Sequence, residues 1–327
     1  MLPSRTMSFD FDTAVQAPFR MQPGLRRLAP GAAQLTPTVA PHRGVARHLR
    51  EKLAVLGAFA DQALCCVPGF DPERALAALS AHAAAEQPEA WSDDGQSCQA
   101  PGLGWALNAQ ARPQATGSDW PEIGPLLAGL APEWRRPALL ALAFAEDFAV
   151  ADAASSSVPW LAVALPSSWA PQDKVGRRFA EIHAPVADNR LIVSAADQLL
   201  RLVTGQDDNS PRWERFVWSV TPHRRLHAHP ARVDPAGWPV GLEGDALAAQ
   251  ACWRTERQTF IPVPGAAQAV FTIRVEVQPL ATVANTPERA QRLHDALASM
   301  TPAVLAYRGL TPVREALLGW LARRATP

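Results

Sequence analysis

"QAVFTIRVEVQPL", residues 268–280, sets the class of fold. Phe271, Ile273, Val275 and Val277 alternate with Thr272, Arg274 and Glu276. A period of two places the first set on the inner face of a β-strand and the second on the outer face. Two stretches upstream share this character. "ACWRTERQTFIPVP" (251–264) puts Trp253, Arg257 and Ile261 on one side and Glu256 and Phe260 on the other. "RWERFVWSV" (212–220) groups Phe216, Trp218 and Val220 with Glu214 on one face. Three such strands in succession predict an antiparallel sheet.

Working outward, "GPLLAGLAPEWRRPALLALAFAEDFAVA" (124–151) leads from helix into a first strand, and "VPWLAVALPSSW" (158–169) is an apolar run bounded by prolines, hence a second. "KVGRRFAEIHAPVADN" (174–189) has Val175, Phe179, Ile182 and Val186 at helical spacing. Pro185 disfavours helical geometry at Ala184, so His183 falls in or near the last turn of a helix over 174–184. "AADQLLRLV" (195–203) is a further helix. The order is two strands, short helices, a longer helix and three antiparallel strands. It is an α+β arrangement that can hold a small molecule between sheet and helices, and it is also the order of a PAS domain.

Outside this core (136–282), residues 1–42 are rich in Pro and Gly and read as an extended arm or packing strap. Region 43–135 opens with a helix over 43–66, carried by Val45, Leu49, Leu53, Leu56 and Phe59, and a second in "DPERALAALSAHAAAEQ" (71–87). Residues 88–119 are polar, Gly-rich and loop-like. The tail (283–327) carries two helices, each opened by Thr-Pro.

The 327 residues are 48% hydrophobic and 19% charged, with 31 basic and 31 acidic side chains. Zero net charge gives no support for attraction of the whole molecule to nucleic acid or an anionic membrane. The N-terminus does not resemble a secretory signal, and no apolar run reaches the ~18 residues of a membrane span, so the expected location is cytoplasmic. Cys65, Cys66, Cys98 and Cys252 make neither a disulfide framework nor a CxxC pattern. Nicotinamide, flavin, P-loop, nucleophile-elbow and HExxH motifs are absent from the sequence.

The first candidate for chemistry is His183. At a helix end its Nδ1–H can reach an unpaired carbonyl, leaving Nε2 free for a metal or haem iron; the alternative is a histidine at the edge of the core. "PHRRLHAHP" offers His223, His227 and His229, with basic neighbours that disfavour a cation and suit a rim meeting propionates or an acidic redox partner. Arg257 either joins a cross-strand ion-pair ladder or enters a pocket opposite Glu214 or a ligand carboxylate. Glu146 and Asp147, adjacent before a strand, diverge to opposite faces and make no acid/base pair.

Together "PFRMQPGLRRL", "AEDFAV", "WLAVALPSSWAPQDKVGRRFAEIHAPVADN", "RWERFVWSVTPHRRLHAHP", "WRTERQTFIPVP", "AVFTIRVEVQPL" and "MTPAVLAYRGL" resemble, in order from about Phe9 onward, the haem-dependent oxidative N-demethylase family, also described as dimethylamine monooxygenase alpha-subunit-like. The resemblance implies a PAS-like antiparallel sheet with haem-covering helices and with helical extensions at both ends. It implies haem b, dioxygen, and electrons from NAD(P)H through separate reductase subunits carrying flavin and iron–sulfur centres. The reaction implied is oxidative demethylation of a small N-methylated amine, with release of formaldehyde. His183 becomes the expected iron ligand. Lys174, Arg177, Phe179, Arg224 and Trp218 are expected around the cofactor, Phe148 as a further wall, and Glu214, Arg257 and Glu181 as the polar groups facing haem or amine. A non-catalytic PAS-type haem or small-molecule sensor is the other reading, and a haem-free scaffold a third.

Overall fold

A computed structural model describes residues 9–39, 46–205 and 211–326. The five predicted strands assemble, with two that the sequence pattern assigns to the arm (26–27) and to the end of the helix over 43–66 (64–66), into one antiparallel sheet of seven: β1 (Arg26–Arg27), β2 (Leu64–Cys66), β3 (Asp147–Asp152), β4 (Ser157–Ala162), β5 (Trp213–Thr221), β6 (Cys252–Pro262) and β7 (Gln268–Pro279). They lie in the spatial order β1-β5-β6-β7-β3-β4-β2. With the helices, this is a mixed α+β fold. Helices α1 (Arg47–Ala63), α2 (Glu73–Glu86) and α3 (Pro132–Ala143) precede β3. Three short ones, α4 (Phe179–His183), α5 (Arg190–Ser194) and α6 (Ala196–Val203), connect β4 to β5. After β7 come α7 (Pro287–Ala298), α8 (Pro302–Tyr307) and α9 (Arg314–Ala325). Thr286 and Thr301 cap α7 and α8 by accepting backbone N–H bonds from Arg289 and Val304, each with Pro at the first turn.

Register decides what each face carries. Gln258 of β6 sits opposite Arg215 of β5 and Ile273 of β7, and Glu256 sits opposite Val217 and Val275. Arg215, Val217, Arg254, Glu256, Gln258, Phe271 and Ile273 therefore share the face turned toward α4–α6. The reverse face is covered too, contrary to the one-sided sheet that the alternation in β7 suggests. Thr272 is fully buried there, its hydroxyl 2.6 Å from that of Thr259, which accepts from Gln34 Nε2 at 2.9 Å. Trp218, Val220 and Trp253 on this side enter a core with Leu293, Leu297, Leu317 and Trp320 of the C-terminal helices. The N-terminal segment and α2 supply the rest of the cover, which pattern within one strand cannot reveal.

Beyond Ile273 the outer edge of β7 has no strand partner, because β3 pairs with it only that far. Side chains of α1 take over: His48 Nε2 bonds to the Val275 carbonyl at 2.7 Å and Arg47 to that of Val277 at 3.0 Å. An open edge is thereby closed without another strand.

Two further local expectations are corrected. Residues 88–119 hold a second, four-stranded sheet (Ser92–Asp93, Cys98–Ala100, Trp105–Leu107, Pro113–Ala115), whose strands are too short to show a period. The helix expected over 174–184 is confined to Phe179–His183. Gly176 has φ +76°, a left-handed conformation, and Gly176 and Arg177 instead bond through their backbones to Val158. Val175 consequently joins a small cluster with Cys65, Ala149 and Leu161 rather than the helical stripe.

Candidate functional site

A cavity of about 370 Å³ lies between the inner sheet face and α4–α6, within the size range of small-molecule and cofactor sites. Its helical wall is apolar: Phe179, Ile182, Val186, Ile192, Leu199, Leu200 and Val203. Met21, Pro23 and Leu25 of the N-terminal segment close one side, held there because β1 pairs with β5 immediately afterward. Tyr307 and Arg308 stand at another end.

His183 lines this cavity at the last residue of α4. Its Nδ1 is 2.8 Å from the Phe179 carbonyl. A carbonyl only accepts, so Nδ1 carries the proton and the Nε2 lone pair is free; no partner for Nε2 occurs among the described residues. Burial pushes the His183 pKa down to about 4, against the effect of the Phe179 carbonyl, with the Arg215 and Lys174 charges adding to the fall. The imidazole is neutral at pH 7, the state a metal requires.

The polar groups on the sheet side come from β5 and β6. Arg254 is fully engaged, donating to Ser167 Oγ and to the carbonyls of Pro166, Arg225 and Leu226. It thus locks two loops at the cavity floor. Glu256 accepts from Gln258 Nε2. Arg215 lines the same space, with its Nε buried and unpartnered.

Of the residues expected around a ligand, His183, Lys174, Phe179 and Trp218 line the cavity, although the Trp218 indole stacks on Trp253 with centroids 4.7 Å apart. Lys174 Nζ bonds to the Ile182 carbonyl at 3.2 Å. Arg177 and Arg224 are exposed and stand outside the lining. Glu181 is also exposed, accepting the Arg178 N–H at 3.1 Å in a helix-start capping arrangement. Glu214 and Arg257 face the opposite side of the sheet, paired with each other at 3.0 Å, and Glu214 also takes Arg26 at 3.0 Å. Arg257 further donates to the Ala33 carbonyl. The pocket-facing expectation for these two fails because their neighbours in sequence, Arg215 and Glu256, have the parity that points inward. Phe148 is buried on that opposite face as well, opposite Thr272. Sequence reading missed Arg215, Glu256 and Gln258. The signal was present in the alternation of "RWERFVWSV" and "WRTERQTF", but not the information about which face the helices cover.

The histidine-rich loop is pinned to the protein through two of its histidines. His227 bonds to the Ala164 carbonyl at 2.7 Å, His229 is buried beside Gln172, and the two rings stack. Among the described residues no three His, Cys, Asp or Glu side chains gather as a metal site. Glu146 and Asp147 are buried, the first accepting from Thr36 N–H and the second 3.0 Å from Lys52 Nζ; neither lines the cavity.

An antiparallel sheet roofed by short helices, enclosing an apolar chamber with one neutral histidine and a few polar groups, defines an α+β protein built to hold a ligand or cofactor. Comparison with protein-family models narrows this. The model for "haem-dependent oxidative N-demethylase, alpha subunit-like" matches residues 131–318, more than half of the chain, and the chain belongs to that family. The matched span runs from α3 into the start of α9 and so includes every helix and strand around the cavity except the closing N-terminal segment.

The residues present fit the haem that the family description names. His183 offers an unprotonated nitrogen to the chamber, Phe179, Ile182 and Val186 supply an apolar wall beside it, and Arg215 is a cation without a partner.

Proposed function

We propose that this chain is the haem-binding catalytic subunit of an oxidative N-demethylase. The observation carrying the reading is the fixed tautomer of His183, neutral and aimed into an apolar chamber in a chain of this family. The strand order β4-β3-β7-β6-β5, with α4–α6 between β4 and β5, supports a PAS-like core. No described helix is long and apolar enough to cross a membrane.

His183 would hold the iron of haem b through Nε2, with the Phe179 carbonyl fixing the imidazole's orientation. Bound haem would supply dioxygen activation and oxidation at an N-methyl carbon. A secondary amine, dioxygen, two electrons and two protons then yield the demethylated amine, formaldehyde and water. Glu256 is the carboxylate of the cavity and would hold the ammonium form of the amine, and Gln258, by donating to Glu256, keeps that carboxylate oriented. Leu199, Leu200 and Val203 exclude water from the reacting carbon. The electrons would come from NAD(P)H through separate flavin and iron–sulfur subunits, in keeping with the alpha-subunit description and the missing nicotinamide motif.

The test begins with an absorption spectrum of the purified chain reconstituted with haem. A Soret band that is lost or shifted in His183→Ala, at unchanged secondary structure, is the expected result. An identical spectrum in the variant would refute the ligand assignment. Formaldehyde release from dimethylamine, with reductant and oxygen, separates an enzyme from a sensor.

A further inference from the structure

Three arginines line the cavity, and the two that stand on the sheet, Arg215 and Arg254, are in different situations. Arg254 spends its donors on four protein oxygens. Arg215 has neither a hydrogen bond nor an ion pair among the described residues, and its Nε is buried. Its cross-strand neighbour is Gln258, and the nearby acid Glu256 is already engaged by Gln258. A guanidinium held in a cavity with no hydrogen-bonded anion beside it is costly unless a ligand completes it. The planar fork of arginine suits carboxylate and phosphate oxygens alike. With Glu256 one register step away, a singly charged anion is favoured over a dianionic phosphate, since each further negative charge is repelled by that carboxylate. The geometry points to Arg215 as the carboxylate-binding residue of this cavity.

Two sources can deliver that carboxylate: a propionate of haem, which rests on the functional reading above, or the acid group of a small N-methyl amino acid whose ammonium meets Glu256. One set of titrations on the full chain separates them. Haem b and its dimethyl ester, which lacks free carboxylates, are titrated by absorbance. N,N-dimethylglycine and dimethylamine are titrated by calorimetry, with and without haem. Wild type, Arg215→Gln and Arg215→Lys are compared.

If a propionate is the partner, Arg215→Gln weakens haem b about 10–100-fold, the size of a lost charged hydrogen bond. The ester then binds wild type and variant alike, and Arg215→Lys restores part of the loss. If a small amino acid is the partner, haem affinity stays constant. N,N-dimethylglycine then outbinds dimethylamine by about tenfold or more in wild type, and Arg215→Gln erases the difference.

The inference is overturned if Arg215→Gln moves neither ratio. Should Arg215→Gln not fold, wild type alone still decides: equal binding of haem b and its ester, together with equal binding of the two amines, rejects it. Absence of any haem binding refutes the demethylase reading while the calorimetric comparison continues to judge Arg215, and no binding of either amine besides rejects both.

Discussion

Arg257 and Glu256 are consecutive residues with opposite fates, and the sheet's parity makes the difference. Glu256 faces the cavity, whereas Arg257 turns to the reverse face and is neutralised by Glu214. Protonation at single residues is equally governed by surroundings. His223 lies among Arg254 and Arg225, with no partner for either ring nitrogen among the described residues, and burial first, then those charges, lowers its pKa to about 4. The unfolded chain takes up that proton near pH 6.5. Between about pH 6.5 and 4 the unfolded state therefore binds more protons, and stability falls as the pH is lowered. Denaturant titrations at pH 7.5 and 5 should show a larger loss for wild type than for His223→Gln; equal losses would exclude His223 as a source of the acid sensitivity.

At the level of elements, α4 owes its starting point to the glycine that ends the turn before it. A side chain at Gly176 would bring a Cβ within 2.7 Å of Val67 Cγ1, in addition to the cost of a positive φ. Gly176→Ala should lose about 1–2 kcal/mol or somewhat more of stability. Because α4 carries His183, haem affinity should drop with it, and a denaturant midpoint equal to wild type would contradict this. Lys52 plays a comparable part for α1. Fully buried, it donates to the carbonyls of Phe144 (3.0 Å) and Glu146 (2.6 Å) and stands 3.0 Å from Asp147 Oδ1, tying α1 to the turn that enters β3. Lys52→Met strands the Asp147 charge and should cost about 3–5 kcal/mol, measured by chemical denaturation. Lys52→Met combined with Asp147→Asn should recover a large part of it.

Across the whole molecule, the N-terminal segment closes the cavity with Met21, Pro23 and Leu25, pairs with β5 through β1 and then runs over the reverse face of the sheet. It is fastened by Arg26 and Asp10, by Arg26 and Glu214, and by Arg257 to the Ala33 carbonyl. Glu214→Gln leaves two arginines without their shared counter-charge. Hydrogen exchange should quicken several-fold over residues 26–36 in this variant, while the Soret spectrum and haem affinity remain those of wild type. A changed spectrum with protected strap amides would return Glu214 to the ligand-binding machinery.

Alternation over 212–220, 251–264 and 268–280 and the apolar runs upstream were sufficient to read the last three strands and the two before them; His183 does stand in the last turn of its helix, although Ala184 before Pro185 keeps helical geometry (φ −56°, ψ −37°), against the expectation from the proline. These features are local: a period of two or an apolar run between prolines is set within a few residues, and the linear chain records it. Three other outcomes had no local record: the inward face of β5 and β6, the closing of both sides of the sheet, and the turn at Gly176 that shortens α4. Each depends on contacts between residues far apart in the chain, such as Gln34 with Thr259, Glu214 with Arg257, and Gly176 with Val67. Only the folded chain, by bringing those groups together, decided that Arg215 and Glu256 rather than Arg257 and Glu214 would face the cavity.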